Sequence, residues 1–370
     1  MRIPEISRRA RIVGATAAAL VLVCVAVLVV PVTREGLRAA WCDATGEGCT
    51  RLEDPRRDHD GASGWRQRLT PREAASWGNY IALGDSYSSG EGAGDYAPGT
   101  AGEGGCRRSA NAYPRRVADS FDFAGELGFF ACSRQRGASM LESVGERDSQ
   151  IGRVTAHTSL VTIGIGGNDL GFTSVLRGCM VRVPLMESTA CRDQEEEIEK
   201  RMRLFDDTLE DIVGEIRERA PDARILVVGY PRLFPTDPSG MYYTLAPDDQ
   251  EWLNGKLKEF STRVREKVAG LDSEIVEERQ TGSVEYVRMF SALKGHEVGA
   301  DEPWLNGVLL GGFAQGVQVD HGTFHPNARG HRAFTKRILS QLEEGPDRAL
   351  YAAQATLDSA EPEVLAGELD

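Results

Sequence analysis

The sequence lacks an excess of basic residues: 43 lysines and arginines stand against 56 aspartates and glutamates, a formal net charge of -13 over 370 residues. Because nucleic acids attract cationic surfaces, this balance argues against nucleic acid as the main partner. Histidine is scarce, with six in the chain, and none of the seven cysteines forms a Cys-x-x-Cys pair. The spacing therefore argues against a structural zinc site. No internal repeat is present, and the length allows one large domain or two.

Long apolar runs are absent except for one near the amino terminus. The arginines of residues 1–11 precede an uncharged run from Ile12 to Val32, which as a helix would span about 31 Å, close to the hydrocarbon core of a bilayer. The preceding cations place the amino terminus in the cytoplasm and the following residues outside. A secreted form with a cleaved signal is the alternative, although the nearest small-residue site, Leu37–Ala40, carries an arginine. We expect a cytoplasmic basic segment at 1–11 and a single-pass transmembrane signal-anchor at 12–32 in the cell membrane.

The remainder divides by composition into three parts. Residues 33–78 carry many charges of both signs with little apolar periodicity, which predicts an extracytoplasmic stalk. Residues 343–370 are acidic with one basic residue, Arg348, which predicts a solvated tail. The folded domain is expected at 79–342.

Within that domain, short apolar segments alternate with amphipathic ones. Strands are predicted at Tyr80–Leu83, Leu127–Ala131, Leu160–Ile165, Ile225–Val228 and Val284–Met289. Helices are predicted at Tyr113–Phe121, Glu195–Arg219, Asp248–Leu271 and Asn327–Leu342. This alternation predicts an α/β fold, a three-layer α/β/α sandwich with a central, mostly parallel five-stranded sheet.

Three polar motifs stand where strands or loops end. Ser86 follows the first predicted strand, Asn168 follows the third, and His325 comes just before the last helix. In open α/β sheets, ligands bind at the carboxyl ends of the strands. A hydroxyl, a side-chain amide and an imidazole are a nucleophile, an oxyanion donor and a base, the groups that acyl transfer requires.

The motifs Gly84-Asp85-Ser86-Tyr87-Ser88-Ser89-Gly90, Gly166-Gly167-Asn168-Asp169 and His325-Pro326-Asn327 resemble those of the SGNH/GDSL hydrolase superfamily, especially its secreted actinobacterial lipase and esterase branch. The resemblance covers about 79–342 and implies a flavodoxin-like sheet. It also implies Ser86 as nucleophile, His325 as base, and an oxyanion hole formed by the Ser86 N–H, the Asn168 side chain and a glycine N–H. That branch usually reads Ala-Cys-Ser-Gly-Ala, whereas this chain has Arg134-Gln135-Arg136 after the serine, so Gly137 is the expected third donor.

The group that orients His325 is less clear from the motif. Many relatives carry an aspartate three residues before the histidine, where this chain has Gly322, and Asp320 lies five residues before it. Some relatives use a main-chain carbonyl instead. We predict a Ser86–His325 dyad assisted by a carbonyl near Gly322, with Asp320 in a structural role. A triad in which Asp320 orients the ring is the alternative. His321 and His331 are the competing bases.

Asp320, His321 and His325 could also suggest a metal site, but Gly322 and Pro326 disfavour the helix on which they would share a face. We therefore expect no metal.

Six cysteines lie outside the apolar run, and an oxidising compartment makes disulfides the default. Six cysteines allow fifteen connectivities. Proximity and the family resemblance together favour Cys42–Cys49, Cys106–Cys132 and Cys179–Cys191.

The predicted function is a membrane-anchored, extracytoplasmic serine ester hydrolase of lipase or esterase type that needs no metal or organic cofactor. Its substrate would be a small-molecule or lipid ester, and acetyl esters of the cell wall also fit the location. An acyltransferase or a carbohydrate O-deacetylase could use the same site. A surface module that binds without catalysis is the alternative from another class, and the sequence indicates no oligomeric state.

Overall fold

The computed structural model describes residues 57–60, 64–143, 149–180, 191–311 and 318–369. Within these ranges the strands are β1 Arg57–Asp60, β2 Gly64–Leu69, β3 Asn79–Gly84, β4 Leu127–Phe129, β5 Thr158–Gly164, β6 Arg224–Val228, β7 Ser283–Val287, β8 Leu310–Gly311, β9 Gln318–Val319 and β10 Leu350–Ala353. The helices are α1 Pro71–Ser76, α2 Ser86–Ser89, α3 Tyr113–Ala118, α4 Gly137–Glu142, α5 Phe172–Met180, α6 Glu195–Arg219, α7 Pro247–Glu277, α8 Ala328–Glu344, α9 Gln354–Ser359 and α10 Pro362–Gly367.

The central sheet has five strands in the order β4-β3-β5-β6-β7, and every neighbouring pair is parallel. This confirms the predicted α/β fold with a five-stranded sheet. The chain leaves β3 toward one edge through β4 and then returns to the other side through β5. The carboxyl ends of β3 and β5 therefore flank the point where the strand order reverses, which is where ligands bind in such sheets.

Helices flank the sheet in two groups. Helix α6 packs against α4 and α7, while α8 packs against α1 and α3. The bounds of α6 are those that its periodicity predicts. One face of it is buried in the main core: Ile198, Met202, Phe205, Leu209, Ile212, Val213 and Ile216.

The structure differs from the expected stalk and tail at both ends of the domain. Strand β10 pairs antiparallel with β2, and Leu350 lies opposite Leu69. These two leucines, with Ala74 and Ala352, form a second small apolar cluster. Residues 64–78 and 350–353 therefore belong to the folded domain. Strand β2 carries two arginines among its six residues and β10 has only four residues, so neither shows an apolar period, and only their pairing reveals the buried face.

The last helix ties the carboxyl terminus to the central sheet. Leu365 is 1% exposed, and its carbonyl accepts a hydrogen bond from the side-chain amide of Asn79, at 2.9 Å, on the first residue of β3. At the other end, Thr70 and Glu73 form a capping box around α1, with Pro71 in its first turn. This capping signal is readable from the sequence, and it marks a helix within the expected stalk.

The expected bridges Cys106–Cys132 and Cys179–Cys191 are both present, with S–S distances of 2.07 and 2.01 Å. The pair Cys42–Cys49 and the apolar run at 12–32 lie outside the described residues. Among the described helices, none combines the length and the apolar character needed to cross a bilayer.

Candidate active site

Ser86 stands at the sharp turn between β3 and α2. Gly84 has φ +125, and a Cβ there would lie 2.3 Å from the carbonyl oxygen of Gly164, so only glycine fits. Asp85 caps α2 by accepting a hydrogen bond from the Tyr87 N–H at 2.9 Å. Ser86 itself is 7% exposed. The turn thus presents the hydroxyl at the carboxyl end of the sheet.

His325 lies directly against this hydroxyl. Its Nε2 is 2.8 Å from the Ser86 Oγ, and its Nδ1 is 2.9 Å from the carbonyl oxygen of Thr323. A carbonyl can only accept, so Nδ1 carries the proton and Nε2 is left as the acceptor that faces the hydroxyl. The structure brings together the predicted nucleophile and base, and the acceptor behind the ring is main chain.

Gly322 and Asp320 take other roles. The Gly322 carbonyl accepts hydrogen bonds from the His325 N–H and the Asn306 side chain at 3.1 and 3.2 Å. Asp320 is exposed, and its Oδ1 accepts from the Gly322 N–H at 2.7 Å. The carboxylate therefore shapes the turn, and the acceptor of His325 lies one residue after the predicted glycine.

The competing histidines do not meet Ser86. His321 is exposed. His331 is completely buried on α8, and its Nδ1 accepts from the Tyr113 N–H at 3.2 Å. Burial lowers the pKa of His331 to about 3, so this ring stays neutral and structural.

Within the described residues, the carboxylates of Glu195, Glu199 and Glu259 are the only group spaced to share a metal ion. Lys256 already pairs with them, at 2.8 Å from Glu259. Asp320, His321 and His325 form no such group.

The three expected oxyanion donors differ in the hydrogen bonds that they already make. Among the described hydrogen bonds, the Ser86 N–H has no acceptor. The Asn168 amide nitrogen donates to the Gln135 carbonyl at 3.0 Å, which leaves its second N–H. The Gly137 N–H donates to both carboxylate oxygens of Asp169, at 3.0 and 3.1 Å. Gly137 is thus engaged as the first residue of α4, and the expectation that it is a third oxyanion donor is wrong.

The left-handed residue of that loop is Arg134, with φ +68. It directly follows the serine after which the related branch carries glycine. The extra residues therefore extend the loop beyond this position, toward α4 and Asn168.

Several buried polar groups that sequence reasoning missed hold the site in place. The Tyr230 hydroxyl donates to Asp85 at 2.5 Å and accepts from the Gly167 N–H at 3.0 Å, so it joins the serine turn to the asparagine loop. The Gln150 side chain makes two hydrogen bonds to the main chain of Gly84, at 2.7 and 3.1 Å. Neither Tyr230 nor Gln150 lies in the three motifs that the sequence analysis identifies, so neither is predicted from the sequence.

A strained backbone directs the histidine. Phe324, just before His325, has φ +59, which is costly for a residue with a bulky side chain. Its carbonyl accepts from the Tyr87 hydroxyl at 2.5 Å, and its N–H donates to the Asn306 carbonyl at 3.1 Å. Both bonds come from outside the loop, and they hold it in the conformation that points the imidazole at Ser86.

Burial changes the acidity of the groups at the site. It raises the pKa of Asp85 to about 7, although the hydrogen bonds from Tyr230 and Tyr87 oppose this rise. Burial lowers the pKa of His325 below its ordinary value of 6.5, against the attraction of Glu91 and the Thr323 carbonyl. A lowered pKa keeps the imidazole neutral, and so able to accept a proton, to a more acidic pH.

Comparison with known proteins gives consistent results. The profile of the GDSL-like Lipase/Acylhydrolase family matches residues 82–333, which include Ser86, Asn168 and His325. A lipase of Streptomyces rimosus is 30% identical over 256 residues, which are 68% of this chain and 82% of that one.

Solved structures agree with the fold. Phospholipase A1 from Streptomyces albidoflavus NA297 matches with a TM-score of 0.58 and 28% identity, over 71% of this chain and 98% of that chain. An extracellular lipase from Streptomyces rimosus matches with a TM-score of 0.58 and 27% identity, over 71% of this chain and 99% of that chain.

Proposed function

Because the chain belongs to the GDSL-like lipase/acylhydrolase family and is a carboxylic ester hydrolase, we propose that it cleaves its substrate by a Ser86–His325 dyad. The observation that carries this proposal is the 2.8 Å contact between the Ser86 Oγ and the His325 Nε2. Ser86 attacks the ester carbonyl while its proton passes to Nε2. The resulting imidazolium keeps its Nδ1–H on the Thr323 carbonyl.

The remaining steps need no group beyond this site. The Ser86 N–H and the second amide N–H of Asn168 stabilise the oxyanion of the tetrahedral intermediate. The C–O bond to the alcohol breaks, and His325 returns the proton to the departing oxygen. Water then attacks the acyl-enzyme, giving its proton to the same nitrogen, and the acid leaves as Ser86 regains its proton.

For the substrate, we propose esters of lipid acyl chains. Two relatives are a lipase and a phospholipase A1, and both names refer to lipid esters.

The test is a panel of esters from acetyl to long acyl chains, assayed with the full chain in detergent. Higher kcat/KM on longer chains supports the proposal. A preference for acetyl esters favours an O-deacetylase, and preferential transfer to an added alcohol favours an acyltransferase. No turnover together with no labelling by a fluorophosphonate indicates a binding module.

We also propose that residues 12–32 anchor the chain, with the hydrolase domain outside the cell. The support is the basic segment before the apolar run and the relative described as extracellular. Protease added to intact cells should digest the domain and spare a tag placed on the amino terminus. A mature protein in the culture medium that begins after Val32 would show instead that the segment is a cleaved signal.

Asp320→Asn is expected to lower kcat by tenfold or less. The carboxylate of Asp320 contacts the Gly322 N–H, an interaction that the asparagine oxygen can keep, while His325 is oriented by the Thr323 carbonyl. Steady-state kinetics on a chromogenic ester measures this directly. A fall of about 10⁴-fold, the size expected for a triad aspartate, would mean that Asp320 orients the ring during turnover.

A further inference from the structure

Glu91 is a buried carboxylate next to the imidazole of the site, and no motif marks it. It follows α2, and its N–H donates to the Ser86 carbonyl at 3.1 Å. Its side chain is 5% exposed, and its Oε2 lies 3.9 Å from the His325 Nε2. That nitrogen is the one that faces the Ser86 hydroxyl. At 3.9 Å the carboxylate makes no hydrogen bond to the ring, but its charge acts at close range in a site largely shielded from water.

The second oxygen of this carboxylate faces a buried cation. The Arg107 Nε is 3.3 Å from the Glu91 Oε1, and the Arg107 side chain is 10% exposed. Arg107 follows Cys106, whose bridge to Cys132 fixes the start of this segment. Within the described residues, the Glu91 Oε1 and the Arg107 Nη1 are buried without a hydrogen bond. The ion pair therefore lacks a well-formed hydrogen bond, and the negative charge of Glu91 acts on both Arg107 and His325.

We propose that Glu91 is a positioning residue for His325. The carboxylate of Glu91 stabilises the imidazolium that forms when Nε2 takes the Ser86 proton. Arg107, by holding the other oxygen, limits this stabilisation. The proposal rests on the proposed Ser86–His325 mechanism. In that mechanism the ring gains a positive charge in a buried place, and among the described residues only Ser86 and the Thr323 carbonyl are hydrogen-bonded to it.

The other charged or titratable groups near the imidazole come from three elements. Asp320 raises the pKa of His325 and His321 lowers it, and both lie on its own loop, where both side chains are exposed. His331 faces it from α8 as a neutral ring. Tyr87, on α2, packs its ring 4.9 Å from that of His325. Among these groups, Glu91 makes the largest charge contribution to the pKa of His325.

The test is the pH dependence of kcat/KM for the full chain and for Glu91→Gln and Arg107→Gln. The acid limb of the wild type is expected below pH 6.5, because burial lowers the pKa of His325. Glu91→Gln removes the negative charge, so its limb should move about one pH unit further down. The plateau of kcat/KM above this limb should fall about tenfold in the same variant, since one pKa unit corresponds to a factor of ten. Arg107→Gln removes the opposing cation, so its limb should move up.

Opposite shifts are the readout that a merely structural role would not give. Lower activity with unmoved limbs in both variants, or shifts in the same direction, would overturn the proposal.

Glu302→Gln is the matched control, because Glu302 is exposed and pairs with Arg329 at 3.0 Å, and its limb should stay in place. If Glu91→Gln does not fold, as judged by circular dichroism, then Glu91→Asp, which keeps the charge, should fold with a limb near that of the wild type. If the acid limb of Glu91→Asp instead moves down, as is expected when the charge is lost, the proposal is overturned. Ser86→Ala in the same assay tests the proposed mechanism separately, since it should be inactive whatever the role of Glu91.

Discussion

Ser86→Ala is expected to lower kcat for ester hydrolysis by at least about 10³-fold, because removing the nucleophile of such a site leaves only binding and oxyanion stabilisation. The fold should remain, since the Ser86 Oγ bonds only to His325 among the described residues. The measurement is kcat together with thermal unfolding and labelling by a fluorophosphonate.

Ser89→Ala is the matched control for this prediction. Ser89 lies on the same short helix and is fully buried, and its hydroxyl is 3.3 Å from both the Ser86 carbonyl and the Ser133 hydroxyl. Its loss should cost about 1 kcal/mol of stability and leave the enzyme active. If Ser86→Ala keeps more than a few per cent of activity, or if Ser89→Ala alone is inactive, Ser86 is not the nucleophile.

Arg224→Met is expected to lower the free energy of unfolding by about 3–5 kcal/mol, because it leaves the Glu285 charge buried without its partner. Arg224 is completely buried on β6 and meets Glu285 through two bonds of 2.8 Å. Its remaining N–H groups donate to the carbonyls of Pro71, Leu342 and Gln341, at 2.6, 2.9 and 3.0 Å. One guanidinium thus joins the sheet to the start of α1 and the end of α8.

Denaturant unfolding of the full chain measures this loss. The double variant Arg224→Met, Glu285→Leu should recover part of the stability, since it removes the stranded charge as well. A single-variant loss below about 1 kcal/mol would contradict the prediction, because it would mean that the Glu285 carboxylate is readily hydrated.

The elements that could be predicted from sequence are those in which the pattern is local. The seven apolar positions of α6 recur at helical spacing, and this helix is found within the predicted bounds. The strands that precede Ser86 and Asn168 are apolar runs ended by glycine, and both belong to the parallel sheet. Ser86 and His325 lie in blocks typical of their family, so their contact follows from the motif even though 239 positions separate them.

The elements that could not be predicted depend on pairing across the chain. Strand β2 carries three polar residues among its six, and β10 is only four residues long, so neither indicates a strand until the two pair and bury Leu69 and Leu350. The family resemblance implies Gly137 as the oxyanion glycine, whereas the tertiary structure gives that N–H to Asp169. The difference arises because an insertion changes where a loop turns, which spacing alone cannot show.

The amino-acid sequence by itself determined the fold class, the parallel sheet and the pair Ser86 and His325, because these depend on apolar periodicity and on residue types in fixed motifs. Only the tertiary structure decided which groups surround that pair. The acceptor behind the ring is the main-chain carbonyl of Thr323, which any residue could supply, so the sequence does not indicate which residue provides it. Glu91 and Arg107 are ordinary charges in the sequence, and they affect His325 only because folding buries them beside it, where water no longer screens their fields.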